Sequence, residues 1–180
     1  MIKRLIPPPH APSWPLRVLY ELADVICPAI IALALALTFA VRPTGVFGVS
    51  MEPTLHHGQQ IVLLTLSELR HGDVVVVSEA AVEGSENFVK RVIGLPGDVI
   101  DINFETGVVY RNGEALHEPF TAGPTHRPGD IEFPVAVAPG TVFLLGDNRN
   151  NSLDSRHACT GLVDQRFVIG RMVWPQNHID

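Results

Sequence analysis

Apolar and polar positions along the chain follow two regimes that change near residue 41. Residues 25–41 run seventeen positions without a charge, and a helix of that length reaches about 26 Å at ~1.5 Å per residue, just under the hydrocarbon thickness of a bilayer. Flanking residues can complete a crossing. Beyond residue 41 the apolar runs become short and are separated by Gly, Pro and Asn, the pattern of an all-β domain. It predicts strands at residues 60–66, 73–78, 87–93, 98–103, 107–111, 141–145 and 167–173. Val74, Val75, Val76 and Val77 are too continuous for a half-exposed strand, so this one is expected to be central and covered on both faces. Asn112-Gly113 between Arg111 and Glu114 is a two-residue hairpin signal. Residues 117–140 carry little periodicity and are expected to form a long excursion.

Charge gives the apolar run an orientation. Lys3, Arg4 and Arg17 precede it and Arg42 directly follows it, so the excess of positive charge puts the N-terminal side in the cytoplasm and the remainder outside. Pro7, Pro8, Pro9 and Trp14-Pro15 interrupt helix formation, and residues 1–22 read as a basic, extended cytoplasmic tail. Residues 23–41 then form the transmembrane helix and residues 42–180 an exported β-rich domain. Ala34-Leu35-Ala36 and Thr38-Phe39-Ala40 match the small-x-small pattern of a cleavable signal peptide. The run, however, is longer than the usual apolar core of such a peptide and its N-terminal lead is long, which favours a retained anchor over a cleaved leader or a buried core helix.

At 180 residues the chain has room for one folded domain plus the membrane segment. A net charge of −6 with no basic run longer than two residues excludes a nucleic-acid partner. Cys27, in the apolar run, and Cys159 cannot pair if one of them lies in lipid, and no metal-ligand spacing or cofactor motif is present.

Chemistry concentrates in three stretches. Ser50 stands nine residues past the apolar run, within Gly48-Val49-Ser50-Met51-Glu52-Pro53-Thr54-Leu55, and a serine hydroxyl needs a neighbouring base to become a nucleophile. Past residue 41 the chain has nine arginines and one lysine, Lys90, and of these only a lysine can lose its proton near neutral pH. Strand alternation puts Lys90 on one face with Phe88 and Val92, where a charged ammonium is costly unless it snorkels to water. The third stretch, Gly146 to Arg156, follows an apolar strand and is dense in short polar groups. Read plainly it is a loop making its own turns, yet Ser152 could stand near an amine and Asp154 could pair with Arg156.

The three stretches together resemble the type I signal peptidases, membrane-anchored serine/lysine endopeptidases that remove signal peptides from exported preproteins. Ser50-Met51-Glu52-Pro53-Thr54-Leu55 is similar to that family's nucleophile motif and Phe88 to Asp98 to its general-base motif. Gly72-Asp73-Val74 and Gly146-Asp147-Asn148 through Ser152, Asp154, Ser155 and Arg156 match two more, in the family's order. The resemblance implies a mainly β fold: one N-terminal transmembrane helix followed by an all-β catalytic domain of coiled antiparallel sheets, in the plasma (inner) membrane with the catalytic domain on the outer face.

It further implies that Ser50 attacks the scissile carbonyl, that neutral Lys90 takes its proton, and that the Ser50 backbone N–H serves the oxyanion. In supporting roles, Ser152 orients the lysine, Asp154 pairs with Arg156 and Asp147 with Arg91. Substrates would be preproteins with small residues at the first and third positions before the cut, with no cofactor, and apolar residues around Met51 and Leu55 are expected to dip into the bilayer. The chain departs from the family where some members place a serine two residues before the nucleophile, since Gly48 stands there, and in the segment after Arg156.

Rival readings share parts of this pattern. A Ser/His/Asp hydrolase could draw on His56, His57, His71, His117, His126 or His157, but Gly48-Val49-Ser50-Met51-Glu52 lacks the second glycine of a nucleophile elbow. A dedicated maturation peptidase of a conjugative or secretion system would use the same residues on one substrate. A membrane-tethered β-domain that binds peptides without cutting them would keep the fold and not the chemistry.

Overall fold

The computed structural model describes residues 14–65, 67–82 and 86–175; Lys3, Arg4, Pro7, Pro8 and Pro9 of the expected tail lie outside them. The chain divides into two units, the first ending at Phe39 and the second starting at Ala40.

The first unit is helix α1, Trp14–Ala40. It starts nine residues before the expected span, so the extended tail is corrected for residues 14–22. Pro15 sits in the first turn, where a missing N–H costs nothing because that turn has no intrahelical acceptor to satisfy. The helix also runs through Pro28. Its stretch Trp14–Leu35 is long and apolar enough to cross a membrane, and large apolar side chains along it, from Leu19 to Leu37, stand exposed.

Among the described residues the second unit has eleven strands. They are β1 Val41–Gly45, β2 Gln60–Leu64, β3 Val74–Val77, β4 Phe88–Gly94, β5 Val99–Asn103, β6 Val108–Arg111, β7 Glu114–Ala115, β8 Val135–Ala136, β9 Thr141–Leu145, β10 Val163–Asp164 and β11 Val168–Trp174. One curled antiparallel sheet has the order β1-β2-β11-β3-β4-β9-β10 and a smaller one the order β7-β6-β5-β8. The molecule is thus mainly β, with one N-terminal apolar helix. Every strand read from the hydrophobic pattern is present, and β3 is central with all four valines buried. Asn112 turns the β6–β7 hairpin with φ 55° and Gly113 with φ 82°, the left-handed pair that a two-residue connection between twisted strands requires.

Three short strands were not legible. Val41 was counted in the span but opens β1, whose partner is β2 in the register Val41 to Leu64. Pro43 fits there because β1 is a sheet edge, where its missing N–H deprives no neighbouring strand. β8 and β10 are two residues each, too short for any periodicity.

Alternate faces of the large sheet feed separate apolar clusters. Val74, Val76 and Val89 pack with Met51, Leu55, Ile61 and Leu63. Val75, Val77 and Val92 pack with Val142 and Leu144, with Phe88 at the margin. A third cluster, with Ile93, Ile100, Phe143 and Leu145, joins the two sheets. Strand β4 contributes to all three, so its position is fixed from both faces.

Candidate active site

Ser50 is held by a tight turn rather than by a strand. The Leu55 N–H donates to the Met51 carbonyl at 2.9 Å and the Glu52 N–H to the Val49 carbonyl at 3.2 Å. That single helical turn aims Met51 and Leu55, four residues apart, at the same apolar cluster, where they are 1% and 0% exposed. Their burial, about 1.5–3 kcal/mol each, anchors the turn. Met51 and Leu55 therefore face the protein interior and are not themselves the side chains a bilayer would meet. The exposed apolar residues near Ser50 are instead Phe47 (70%), Val49 (40%) and Leu153 (57%).

The turn presents the Ser50 hydroxyl to β4. Lys90 Nζ lies 2.8 Å from Ser50 Oγ and donates to the Val89 carbonyl at 2.9 Å. The lysine is 4% exposed, and its ammonium stands 5.4 Å from the centre of the Phe88 ring. Burial lowers its pKa from 10.5 to about 8, the fields of Asp154 and Asp147 opposing the fall without reversing it. Neither carboxylate is paired with it. An amine so placed is readily available in neutral form near the working pH of a base.

The loop after β9 reaches the same turn from the other side. The Asn148 backbone N–H donates to the Ser50 carbonyl at 3.0 Å, and Asn148 Nδ2 donates to the Val49 carbonyl at 3.1 Å. A trans peptide has its C=O and N–H on opposite sides, so tying the Val49 carbonyl to Asn148 turns the Ser50 N–H away from it. Among the described residues that N–H donates to no acceptor. Gly146 lies where the loop meets the turn. A Cβ there would collide with Ser152 Oγ and the Ser50 carbonyl, so only glycine lets the loop approach the turn.

The remaining residues singled out in the sequence fall into two groups. Asp147 accepts from Arg91 Nε at 2.8 Å and Nη2 at 2.6 Å, both residues fully buried. The pairing follows from register, since Arg91 is opposite Leu145 across β4 and β9 and Asp147 is two residues on. Asp154 takes two hydrogen bonds from Arg156 at 2.8 Å and one from the Gly146 N–H at 3.1 Å. Burial works to raise the Asp154 pKa, but these bonds, the Arg156 charge and nearby Ser152 outweigh it and hold the carboxyl below its ordinary value.

Ser152 Oγ is buried and makes no hydrogen bond of good geometry among the described residues. Its proximity to Asp154 is enough to favour the carboxylate, yet it does not reach Lys90. An unpaired buried hydroxyl is unusual in a folded protein.

Several residues of the site carried no sequence signal. Arg149 is buried against Glu118, with contacts of 2.6 and 2.7 Å, and against Thr125 at 3.1 Å. Phe120 stacks 3.9 Å from the Arg91 guanidinium. All three partners, Glu118, Thr125 and Phe120, come from the patternless residues 117–140, which therefore serve as packing for Arg149 in the loop after β9 and for Arg91. Beside the pair of Ser50 and Lys90 opens a cavity of about 390 Å³, lined by Phe47, Gly48, Val82, Phe88 and Leu153 among others. Of the histidines considered as rival bases, His57 touches this region, through the Gly48 backbone. The described residues hold no cluster of three metal-binding side chains.

The family model for signal peptidase, peptidase S26, matches residues 19–176. A signal peptidase I of Bacillus licheniformis is 35% identical over 164 residues, covering 84% of this chain and 85% of its own length. Signal peptidase I S of Bacillus subtilis (strain 168) is 35% identical over 162 residues, covering 83% and 84%. A crystal structure of a signal peptidase I from Enterococcus faecalis V583 aligns with a TM-score of 0.47 and 27% identity, over 58% of this chain and 97% of that one.

Proposed function

The chain belongs to the peptidase S26 family of signal peptidases, and from that premise we propose that it removes signal peptides by a serine/lysine mechanism, with Ser50 as nucleophile and Lys90 as general base. The observation that carries the reading is the 2.8 Å contact between Ser50 Oγ and a buried lysine paired with no carboxylate. In the neutral amine the lone pair accepts the Ser50 hydroxyl proton while Oγ bonds to the scissile carbonyl carbon. Charge moves to the carbonyl oxygen, toward which the Ser50 N–H can donate. The tetrahedral adduct collapses, the C–N bond breaks, and Lys90 returns the proton to the departing amine. A water, deprotonated by the same amine, then attacks the acyl-enzyme carbonyl, the bond from the acyl carbon to Oγ breaks, and Lys90 returns the proton to Ser50 Oγ. Ser152, whose unpaired hydroxyl does not reach Lys90 here, would orient the amine by turning toward it as the proton moves.

The substrates proposed are exported preproteins with small-x-small cleavage sites, bound extended in the cavity beside Ser50. The Trp14–Ala40 helix would anchor the protein in the plasma (inner) membrane, with the N-terminus cytoplasmic and the β-domain outside. A general housekeeping enzyme and a dedicated maturation peptidase share this chemistry and differ only in the number of substrates.

The test is cleavage of a preprotein in lipid by wild type, Ser50→Ala and Lys90→Arg, with mass spectrometry of the products and circular dichroism of the variants. Wild type should cut after a small-x-small site, and both folded variants should lose at least ~10³-fold in rate. A Lys90→Arg variant that retains activity would show that the side chain acts only as a charge. A wild type that binds the peptide without cutting it would favour the non-catalytic reading. Equal cleavage of membrane-embedded and free peptide would remove the role given to the bilayer.

A further inference from the structure

The turn that carries Ser50 is closed at its neck by backbone hydrogen bonds, Val46 N–H to the Gln59 carbonyl at 2.9 Å and Gly58 N–H to the Val46 carbonyl at 2.8 Å. Between that neck and the Val49 carbonyl, which takes the Glu52 N–H and Asn148 Nδ2, the chain has little to hold it. Phe47, Gly48 and Val49 are exposed, and Gly48 sits at φ 85°, a conformation that glycine enters and leaves freely. The next rung above the neck comes from a side chain: the Gly48 N–H donates to His57 Nδ1 at 3.1 Å. The Phe47 ring packs edge-on against the same imidazole, with centroids 6.0 Å apart. Among the described residues this is the single backbone N–H of residues 47–49 with a partner.

We infer that His57 is a positioning residue for the Ser50 turn, acting in its neutral form with the proton on Nε2, and that its protonation releases the chain on the N-terminal side of the nucleophile. This rests on the serine/lysine reading above. The chemistry is one of acceptor capacity. An imidazole Nδ1 that receives an N–H must carry a lone pair, and an imidazolium carries hydrogen at both nitrogens and can receive none. Protonation therefore sets donor against donor at Gly48. The backbone segment freed in this way leads directly into the Val49–Ser50 peptide, whose N–H faces the developing oxyanion.

The charged groups near this contact do not replace it. On the same turn Glu52 and His56 face each other at 3.8 Å. Across the cavity that Gly48 helps to line stand Lys90 and Glu86. No carboxylate is paired with His57 among the described residues, so nothing there would hold an imidazolium in the position of the neutral ring.

The experiment compares wild type, His57→Ala and His57→Asn as full-length proteins in lipid, measuring kcat and KM against pH. The asparagine side-chain oxygen can take the place of Nδ1 as acceptor and cannot be protonated. For His57→Ala we expect kcat to fall about fivefold with KM little changed, the effect of one lost hydrogen bond. His57→Asn should restore most of kcat. The wild-type profile should show, besides the Lys90 limb, an additional step of the same size as the alanine loss, and this step should be missing from both variants.

Equal loss in the two variants would mean that the ring matters for its contact with Phe47, and would overturn the inference. So would an alanine variant with the wild-type rate and profile. The Gly48 amide resonance adds a readout independent of turnover: it should shift with pH in wild type and not in His57→Asn. An unshifted wild-type amide would also count against the proposal. A wild type that cuts no preprotein while Gly48 still responds to pH would place the failure in the peptidase reading and leave the contact itself intact.

Discussion

Lys90 and Arg91 are consecutive residues of β4, both cationic by type and both buried, at 4% and 1% exposure, yet their surroundings are opposite. Arg91 has a bidentate carboxylate in Asp147, the Gly72 carbonyl at 2.7 Å and an aromatic ring against its plane. Lys90, on the other face of the strand, has a hydroxyl and one carbonyl. A guanidinium cannot shed its proton, so it survives burial only when its charge and donors are matched. An amine can, and leaving it without a carboxylate while removing it from water lowers its pKa. The same burial that makes Arg91 a fastener leaves Lys90 able to lose its proton.

The largest effect that tests this contrast is on stability. Asp147→Ala leaves the Arg91 charge buried with a carbonyl and a distant hydroxyl, and should cost about 3–5 kcal/mol in urea unfolding. A loss under 1 kcal/mol would mean that the pair is not what holds the loop after β9 against β4.

The opposite sign is expected one residue earlier. Lys90→Met should abolish cleavage but stabilise the protein at pH 7, by about 1–3 kcal/mol, because the folded wild type carries a desolvated ammonium. The folded pKa is about 8 and the ordinary value 10.5. Below pH 8 the lysine is protonated in both states and the penalty is full. Between pH 8 and 10.5 the folded state releases the proton first, so wild-type stability rises and the advantage of the methionine variant should shrink. A stability difference that is flat across that window would contradict the lowered pKa. Through the same ionisation, wild-type kcat/KM should climb with pH, pass half its maximum near 8 and level off above it.

The smallest effect concerns the ring. Phe120→Leu should lower stability by about 1 kcal/mol through the lost contact with Arg91 and leave the rate of cleavage close to wild type. A large fall in rate would show that the two faces of β4 are not independent.

Much of this molecule is visible in one dimension. Seven of the strands, β2 to β6, β9 and β11, follow from runs of valine, isoleucine, leucine and phenylalanine between turn residues, and the β6–β7 turn from Asn112-Gly113. Ser50 and Lys90 stood out because one is embedded in an unusual turn sequence and the other is the single lysine past residue 41. The pairing of Arg91 with Asp147 followed from family resemblance and not from spacing, as the two are 56 residues apart. Partners such as Glu118, Thr125 and Phe120 were hidden in residues 117–140, where polar groups bond across the fold and leave no period. Helix α1 began early because proline forbids the middle of a helix and suits its first turn, a distinction that depends on where the helix begins.

The sequence by itself determined seven of the strands and where the long apolar helix lies, because these depend on local period and residue type, and through its family resemblance it marked Ser50 and Lys90 as the expected nucleophile and base. Only the tertiary structure decided that Met51 and Leu55 face inward while Phe47, Val49 and Leu153 face out, that Asn148 turns the Ser50 peptide, and that His57 takes the Gly48 N–H. Those outcomes depend on strand register and on which polar groups meet after the chain has crossed itself. Burial and hydrogen-bond partnership are set by neighbours distant in sequence, and it is burial without a carboxylate that separates Lys90 from Arg91.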